Sequence, residues 1–199
     1  MQELWNQRFS EEGFAYGSEP NLFFKEEIDK INPGKLLLVA EGEGRNGVYA
    51  ARLGWSVDAF DFSEAAKAKA MKLAESNGVQ LNYTVGDLKD ISFNNGYYDA
   101  AALIYVHLEP ELRSAVIKKV IEALKPGGRL ILEVFDKEQL GRSSGGPKDI
   151  DHLYSLEEVV EEFSEMDFIT LVKEVIELDE GKYHQGEAVV IRFVGAKVE

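Results

Sequence analysis

The sequence predicts an α/β fold, doubly wound about a mostly parallel sheet, with an antiparallel hairpin at the C-terminal end. Three patterns carry that prediction. Short apolar runs alternate with helical stretches from residue 35 to 135, a glycine-rich turn joins the first run to the helix after it, and two strand-like stretches follow one another at the end. Parallel neighbours need a crossover, usually a helix, whereas two strands joined by a tight turn must run antiparallel.

Each element has a local cause. Residues 1–20 mix Trp5, Phe9, Phe14 and Tyr16 with Gly13 and Gly17, and read as a short helix followed by an irregular segment. Asn21 suits the N-cap of a helix carrying Leu22, Phe23, Ile28 and Ile31, stopped by Pro33-Gly34. Lys35 to Ala40 is a continuous apolar run, as a strand buried on both faces requires. A helix over Arg45 to Leu53 ends at Gly54, and Trp55 to Phe62 is the second strand. Ser63 caps a helix running to Asn77, closed by Gly78. Val79 to Val85 and Tyr97 to Val106 are strands three and four, and Pro110 opens a helix to Leu124. Pro126-Gly127-Gly128 then turns into strand five, Arg129 to Phe135. After a polar Gly/Ser-rich loop over 137–151, Ser155 and Glu158 form a capping box. The last two strands, Thr170 to Leu178 and Glu187 to Val194, are joined by Asp179-Glu180-Gly181-Lys182, making seven strands.

A chain of 199 residues is read as one domain: a helical cover over 1–33, a ligand-binding core over 34–136, and a loop, helix and hairpin over 137–199. Its 36 acidic against 22 basic residues leave a net charge of -14, which disfavours nucleic acid and anionic membranes as partners. With no cysteine, thiolate nucleophiles and Cys-ligated zinc are excluded. The three histidines show no metal-ligand spacing, so no metal is expected. Met1 to Trp5 shows no secretory signal and no apolar run reaches the length of a membrane span, so a cytoplasmic location is expected.

The chemistry centres on Ala40-Glu41-Gly42-Glu43-Gly44-Arg45-Asn46-Gly47, where Gly42, Gly44 and Gly47 satisfy G-x-G-x-x-G and Asp61 ends the next strand. Two cofactor classes fit such a loop. A dinucleotide places a pyrophosphate on the helix N-terminus, which would make the chain an NAD(P)-dependent oxidoreductase. S-adenosylmethionine brings instead a sulfonium, an ammonium and one carboxylate. Glu41 and Glu43 would repel the first and favour the second, while Arg45 suits the carboxylate.

These residues resemble a class I S-adenosylmethionine-dependent methyltransferase, and the resemblance spans nearly the whole chain. It rests on Glu41 to Asn46, Asp61-Phe62-Ser63, Gly86-Asp87-Leu88, Asp99 to Leu108, and Leu124 to Gly128. The nearest branch is the tellurite-resistance and thiopurine methyltransferases, on Trp5 and on Tyr16 to Asn21. The resemblance implies a Rossmann-like, seven-stranded, mostly parallel sheet with an antiparallel C-terminal hairpin strand, S-adenosylmethionine as cofactor and S-adenosylhomocysteine as product. One departure stands out: the family loop is D-x-G-x-G-x-G, and Leu38 and Ala40 replace its acid and first glycine. That keeps open a third reading, a non-catalytic cofactor-binding domain.

Ligands of such sheets bind beyond the carboxyl ends of the strands. The cofactor set expected there is Ala40, Glu41, Gly42, Gly44, Arg45, Asp61, Phe62, Gly86, Asp87, Leu88 and Ile104. Asp61 suits two ribose hydroxyls, Phe62 an adenine face, and Asp87 with Leu88 the adenine edge. In-line methyl transfer needs a base only when the acceptor must lose a proton, and the candidates are Tyr105, His107 and His184, with His152 behind them. Arg113 and Arg142 are candidate contacts for an anionic acceptor, and Trp5, Tyr16 and the loop around Gly145-Gly146-Pro147 are candidate cover. So little chain lies outside the cofactor domain that a small-molecule acceptor is expected.

Overall fold

A computed structural model describes residues 2–198; the two ends of the expected domain, Met1 and Glu199, lie outside the described residues. The elements run α1 (Gln2–Ser10), α2 (Leu22–Ile28), β1 (Lys35–Val39), α3 (Arg45–Arg52), β2 (Ser56–Asp61), α4 (Glu64–Ser76), β3 (Asn82–Val85) and β4 (Tyr98–Ile104). Then come α5 (Pro110–Ala123), β5 (Leu124–Phe135), α6 (Leu156–Glu162), β6 (Met166–Glu180) and β7 (His184–Lys197). The strands form one seven-stranded sheet in the order β3-β2-β1-β4-β5-β7-β6. β1 pairs in parallel with β2 and β4, and β7 is inserted antiparallel to both β5 and β6. The order therefore reverses between β1 and β4, which opens a crevice at their carboxyl ends.

The apolar run of β1 explains why it lies in the centre. Leu37 and Val39 pack on one face with Val116, Val120 and Phe163, while Leu36 and Leu38 pack on the other with Phe24, Val48 and Ala70. Each fully buried leucine contributes on the order of 2 kcal/mol, so β1 belongs where both faces are covered. The caps behave as their residues dictate. Asn21 accepts from the Phe24 N–H, Ser63 from that of Ala66, and the Ser155/Glu158 capping box is complete.

Three boundaries and one packing face differ most from the sequence reading. β3 starts at Asn82 because the Val79 N–H is spent on the Ala74 carbonyl, closing α4. β5 starts at Leu124, which already pairs with Tyr98; the Pro-Gly-Gly stretch is an irregularity within the ladder. The hairpin is longer than its apolar pattern, since β6 begins at Met166 and the turn is only Gly181-Lys182-Tyr183. Asp179 pairs with Gln185 and Glu180 with His184, so polar residues extend the ladder to its tip. Finally, Leu22 is exposed and α2 packs instead through Phe23, Phe24 and Ile28.

Candidate functional site

After β1 the chain turns at Ala40 with φ 53, a left-handed conformation that costs an L-residue roughly 1–2 kcal/mol. The position that the resembling loop gives to glycine thus keeps a glycine-like backbone under an alanine. Gly44 (φ 90) is demanded by packing as well, since a Cβ there would lie 2.6 Å from the Ala70 Cβ. Glu41 turns back into the fold and accepts from the Gly47 N–H at 2.7 Å, capping the first turn of α3. Burial pushes its carboxyl up to about 7. Glu43 accepts from the Ala15 N–H at 2.7 Å and pairs with Lys69 at 2.8 Å. Both carboxylates are thus engaged by the chain itself.

Asp61 closes β2 and is buried. One oxygen accepts from the Gly42 N–H at 3.0 Å and the other from the Ser63 N–H at 2.9 Å, and burial raises its pKa. The Gly86 N–H bonds the Asp61 carbonyl, which keeps β3 alongside. Phe62 follows, half-buried. Asp87 is exposed and accepts from the Lys89 N–H, whereas Leu88 is buried in the core, so only its backbone faces outward chemistry. Ile104 ends β4, half-buried. Helix α1 roofs this floor: the Phe9 ring lies 3.4 Å from where a Cβ on Gly42 would stand, and Asn6 accepts from the Ser63 hydroxyl.

A second cluster lies where the β6–β7 tip folds back over the crevice. Glu180 pairs with Arg45 at 3.0 Å, accepts from Asn21 at 3.1 Å and stands 3.2 Å from His184 Nδ1. Although burial alone would raise it, His184 and Arg45 hold the Glu180 carboxyl down at about 2. Burial lowers the pKa of His184 against the opposing pull of Glu180. Its ring contacts Tyr16, Tyr105 and Phe135 at centroid distances of 4.5, 4.6 and 5.4 Å. Tyr105 has φ 54, a true outlier for a bulky residue, and its buried hydroxyl has no hydrogen-bond partner. Burial, with the Glu133 and Glu180 carboxylates nearby, raises the pKa of that phenol well above its ordinary value. Beside the cluster, Arg8, Tyr16, Gly145, Lys182, Tyr183 and His184 line a cavity of about 210 Å³.

The sequence candidates therefore divide. Ala40, Gly42, Gly44 and Asp61 form the loop floor, and Arg45, Tyr105 and His184 gather at the hairpin tip. His107 turns elsewhere: its Nδ1 meets the His152 carbonyl at 2.8 Å, its ring stacks on Phe135, and burial lowers its pKa to about 3. His152 is held in that same corner, its Nε2 buried without a partner. Arg113 is buried under the Tyr154 ring and paired with Glu162, and Arg142 pairs with Glu187, so neither faces the crevice as a free cation. Sequence reasoning placed Asn21 only as a helix cap and as part of the Tyr16–Asn21 segment, and missed Glu133 and Glu180. Glu133 is fully buried, bonded to Asn21 and Arg192, and its one signal was a lone acid inside the apolar run Leu130 to Phe135. Glu180 had none, lying in an acidic stretch.

Residues 36–128 match the methyltransferase-domain family. The chain is 25% identical over 99 residues to the probable S-adenosyl-L-methionine-dependent methyltransferase TehB of Haemophilus influenzae, covering 49% of this chain and 35% of that one. Over that stretch, and in its fold as a whole, the chain is similar to class I S-adenosylmethionine-dependent methyltransferases, TehB among them. It is also 30% identical over 134 residues to the ribosomal protein L11 methyltransferase of Thermus thermophilus, covering 65% of this chain and 51% of the other. The chain spans only about a third to a half of these curated relatives. The crystal structure of TehB from Haemophilus influenzae has the same fold, with a TM-score of 0.74 at 17% identity over 98% of this chain and 66% of that one. The matched stretch runs from β1 into the start of β5 and so takes in the glycine loop and Asp61. No helix among the described residues is long and apolar enough to cross a membrane.

Proposed function

We propose that this chain transfers the methyl group of S-adenosylmethionine to a small-molecule acceptor bound in the cavity at the hairpin tip. The observation that carries the reading is the meeting of two groups of residues at the switch point: the Ala40–Asp61 floor, and the cavity edged by His184. The residues present fit an adenosyl group. Each Asp61 oxygen keeps acceptor capacity beyond its backbone N–H, as two ribose hydroxyls need. Half-buried Phe62 carries a ring suited to an adenine face, and exposed Asp87 a carboxylate suited to its edge.

When bound, the cofactor supplies an electrophilic methyl on a sulfonium. The chain's own part is to position the acceptor and take its proton. His184 is suited to that role because Glu180 orients Nδ1–H, which leaves Nε2 as the basic nitrogen at the Gly145 edge of the cavity. Glycine at 145 is required there, since a Cβ would lie 2.7 Å from the imidazole. The dinucleotide reading is disfavoured by Glu41, whose carboxylate already takes the Gly47 N–H that a pyrophosphate would use.

Thermal-shift titration with S-adenosylmethionine, S-adenosylhomocysteine and NAD(H) tests the reading, followed by product detection across a small-molecule panel. Stabilisation by the adenosyl ligands and a methylated product are expected. Stabilisation by NAD(H) alone would overturn it, and cofactor binding with no product in the panel would favour a non-catalytic module. His184→Gln should lower kcat about 100-fold on an acceptor that loses a proton.

A further inference from the structure

Class I loops usually place an acid at the position held here by Leu38, and that residue is fully committed to the core, buried between β2 and β4. Glu41 cannot take its place, being spent on the first turn of α3, and Glu43 is held by Ala15 and Lys69. The amino-acid end of the cofactor is a zwitterion, one carboxylate and one ammonium. Its complement is a cation and an anion side by side in a site poor in water. Such a pair exists where α3 meets the hairpin tip: Arg45 and Glu180, 3.0 Å apart, with side chains 9% and 12% exposed. Next to them lies the Tyr105 hydroxyl, buried with no hydrogen-bond partner on a residue whose φ of 54 is itself costly. A buried orphan hydroxyl and backbone strain on one residue are what an incomplete ligand site displays.

We propose that the methionine end of the cofactor is received by Arg45, Glu180 and Tyr105, in place of the acid absent at Leu38. The carboxylate goes to the Arg45 guanidinium, the ammonium to Glu180, and the Tyr105 hydroxyl completes its hydrogen bond on the same group. The Arg45–Glu180 pair closes on itself when no zwitterion lies between, which keeps two buried charges compensated. Asn21 and His184 hold Glu180 from its other sides, so the receptor is shared between the cofactor loop, the α2 cap and the hairpin. The inference rests on the cofactor reading above.

Calorimetry with two ligands tests it. S-adenosylhomocysteine carries the amino-acid end and 5′-methylthioadenosine lacks it. Wild type should bind the first more tightly. Glu180→Gln and Tyr105→Phe should each weaken S-adenosylhomocysteine about tenfold while leaving methylthioadenosine unchanged. Tyr105→Phe should also leave the ligand-free melting temperature unchanged or raise it, because the hydroxyl has no partner to lose. Equal weakening of both ligands, or of neither, overturns this assignment and leaves the cofactor reading standing. A lowered melting temperature in Tyr105→Phe overturns the orphan-hydroxyl argument. If wild type binds neither ligand, the cofactor reading falls and this inference with it.

Discussion

Ala40 and Glu41 show how one residue can hold a position at a cost. At φ 53, Ala40 bears a left-handed penalty that glycine would avoid, partly offset by the extra freedom glycine has when unfolded. Ala40→Gly should therefore raise stability by about 0.5–1 kcal/mol in urea denaturation, and an unchanged or lower midpoint would remove strain from the account of this turn. Glu41 makes a pH prediction of opposite sign to the usual carboxylate. Its folded pKa, raised by burial to about 7, lies above its unfolded value of 4.5, so the folded state binds the extra proton between them. Stability from this group is fully present below pH 4.5 and is lost as pH rises through 7. Glu41→Gln keeps an acceptor for Gly47 without the charge, so relative to wild type it should gain on the order of 1–3 kcal/mol between pH 5 and pH 8. Parallel pH profiles for the two proteins would refute the assignment.

Helix α1 packs outside the two main cores. It docks through Phe9 over Gly42, through Trp5 stacked on Phe9 and through Asn6 on Ser63, a small cluster apart from the two main cores. Phe9→Ala should free α1 without loosening the sheet: amide exchange across Gln2–Ser10 speeds up while β1 and β4 stay protected. Exchange that rises in β1 as well would mean that α1 belongs to the global core. Helix α6 tests capping in isolation, because Ser155 and Glu158 satisfy two backbone donors reciprocally. Ser155→Ala should cost about 1 kcal/mol by chemical denaturation.

For the whole molecule, charge is the controlling property. The net charge is -14, and the stretch from Ser155 to Glu187 holds eleven acids against Lys173 and Lys182. Much of that charge lies on the exposed side of α6 and along the hairpin, where repulsion opposes compaction. Raising NaCl from 20 to 300 mM should raise the melting temperature by roughly a few degrees, as screening shortens the reach of that repulsion to under about 10 Å. A falling melting temperature would mean that attractive pairs such as Lys182–Glu11 and Lys173–Glu138 outweigh it.

The order of strands and helices was legible because its causes are local. The two-sided apolar run of β1, the caps at Asn21, Ser63 and Ser155, and the glycine loop leading to Asp61 each depend on neighbours a few residues away. By the same logic the sequence by itself determined the fold class, the switch point and the floor of the candidate site. Tertiary structure decided which carboxylates face the crevice. Glu41 and Glu43 stood beside the glycines in sequence, yet they turn to α3, Ala15 and Lys69. Glu133 and Glu180 were unremarkable in sequence, yet long-range pairing of β5 with β7 and of β7 with β6 carries them to Asn21, Arg45 and Tyr105. His107 and His184 divided for the same reason, one locked to His152 and one set beside Glu180. Periodicity tells which face a side chain takes; only the register of distant strands tells what it meets there.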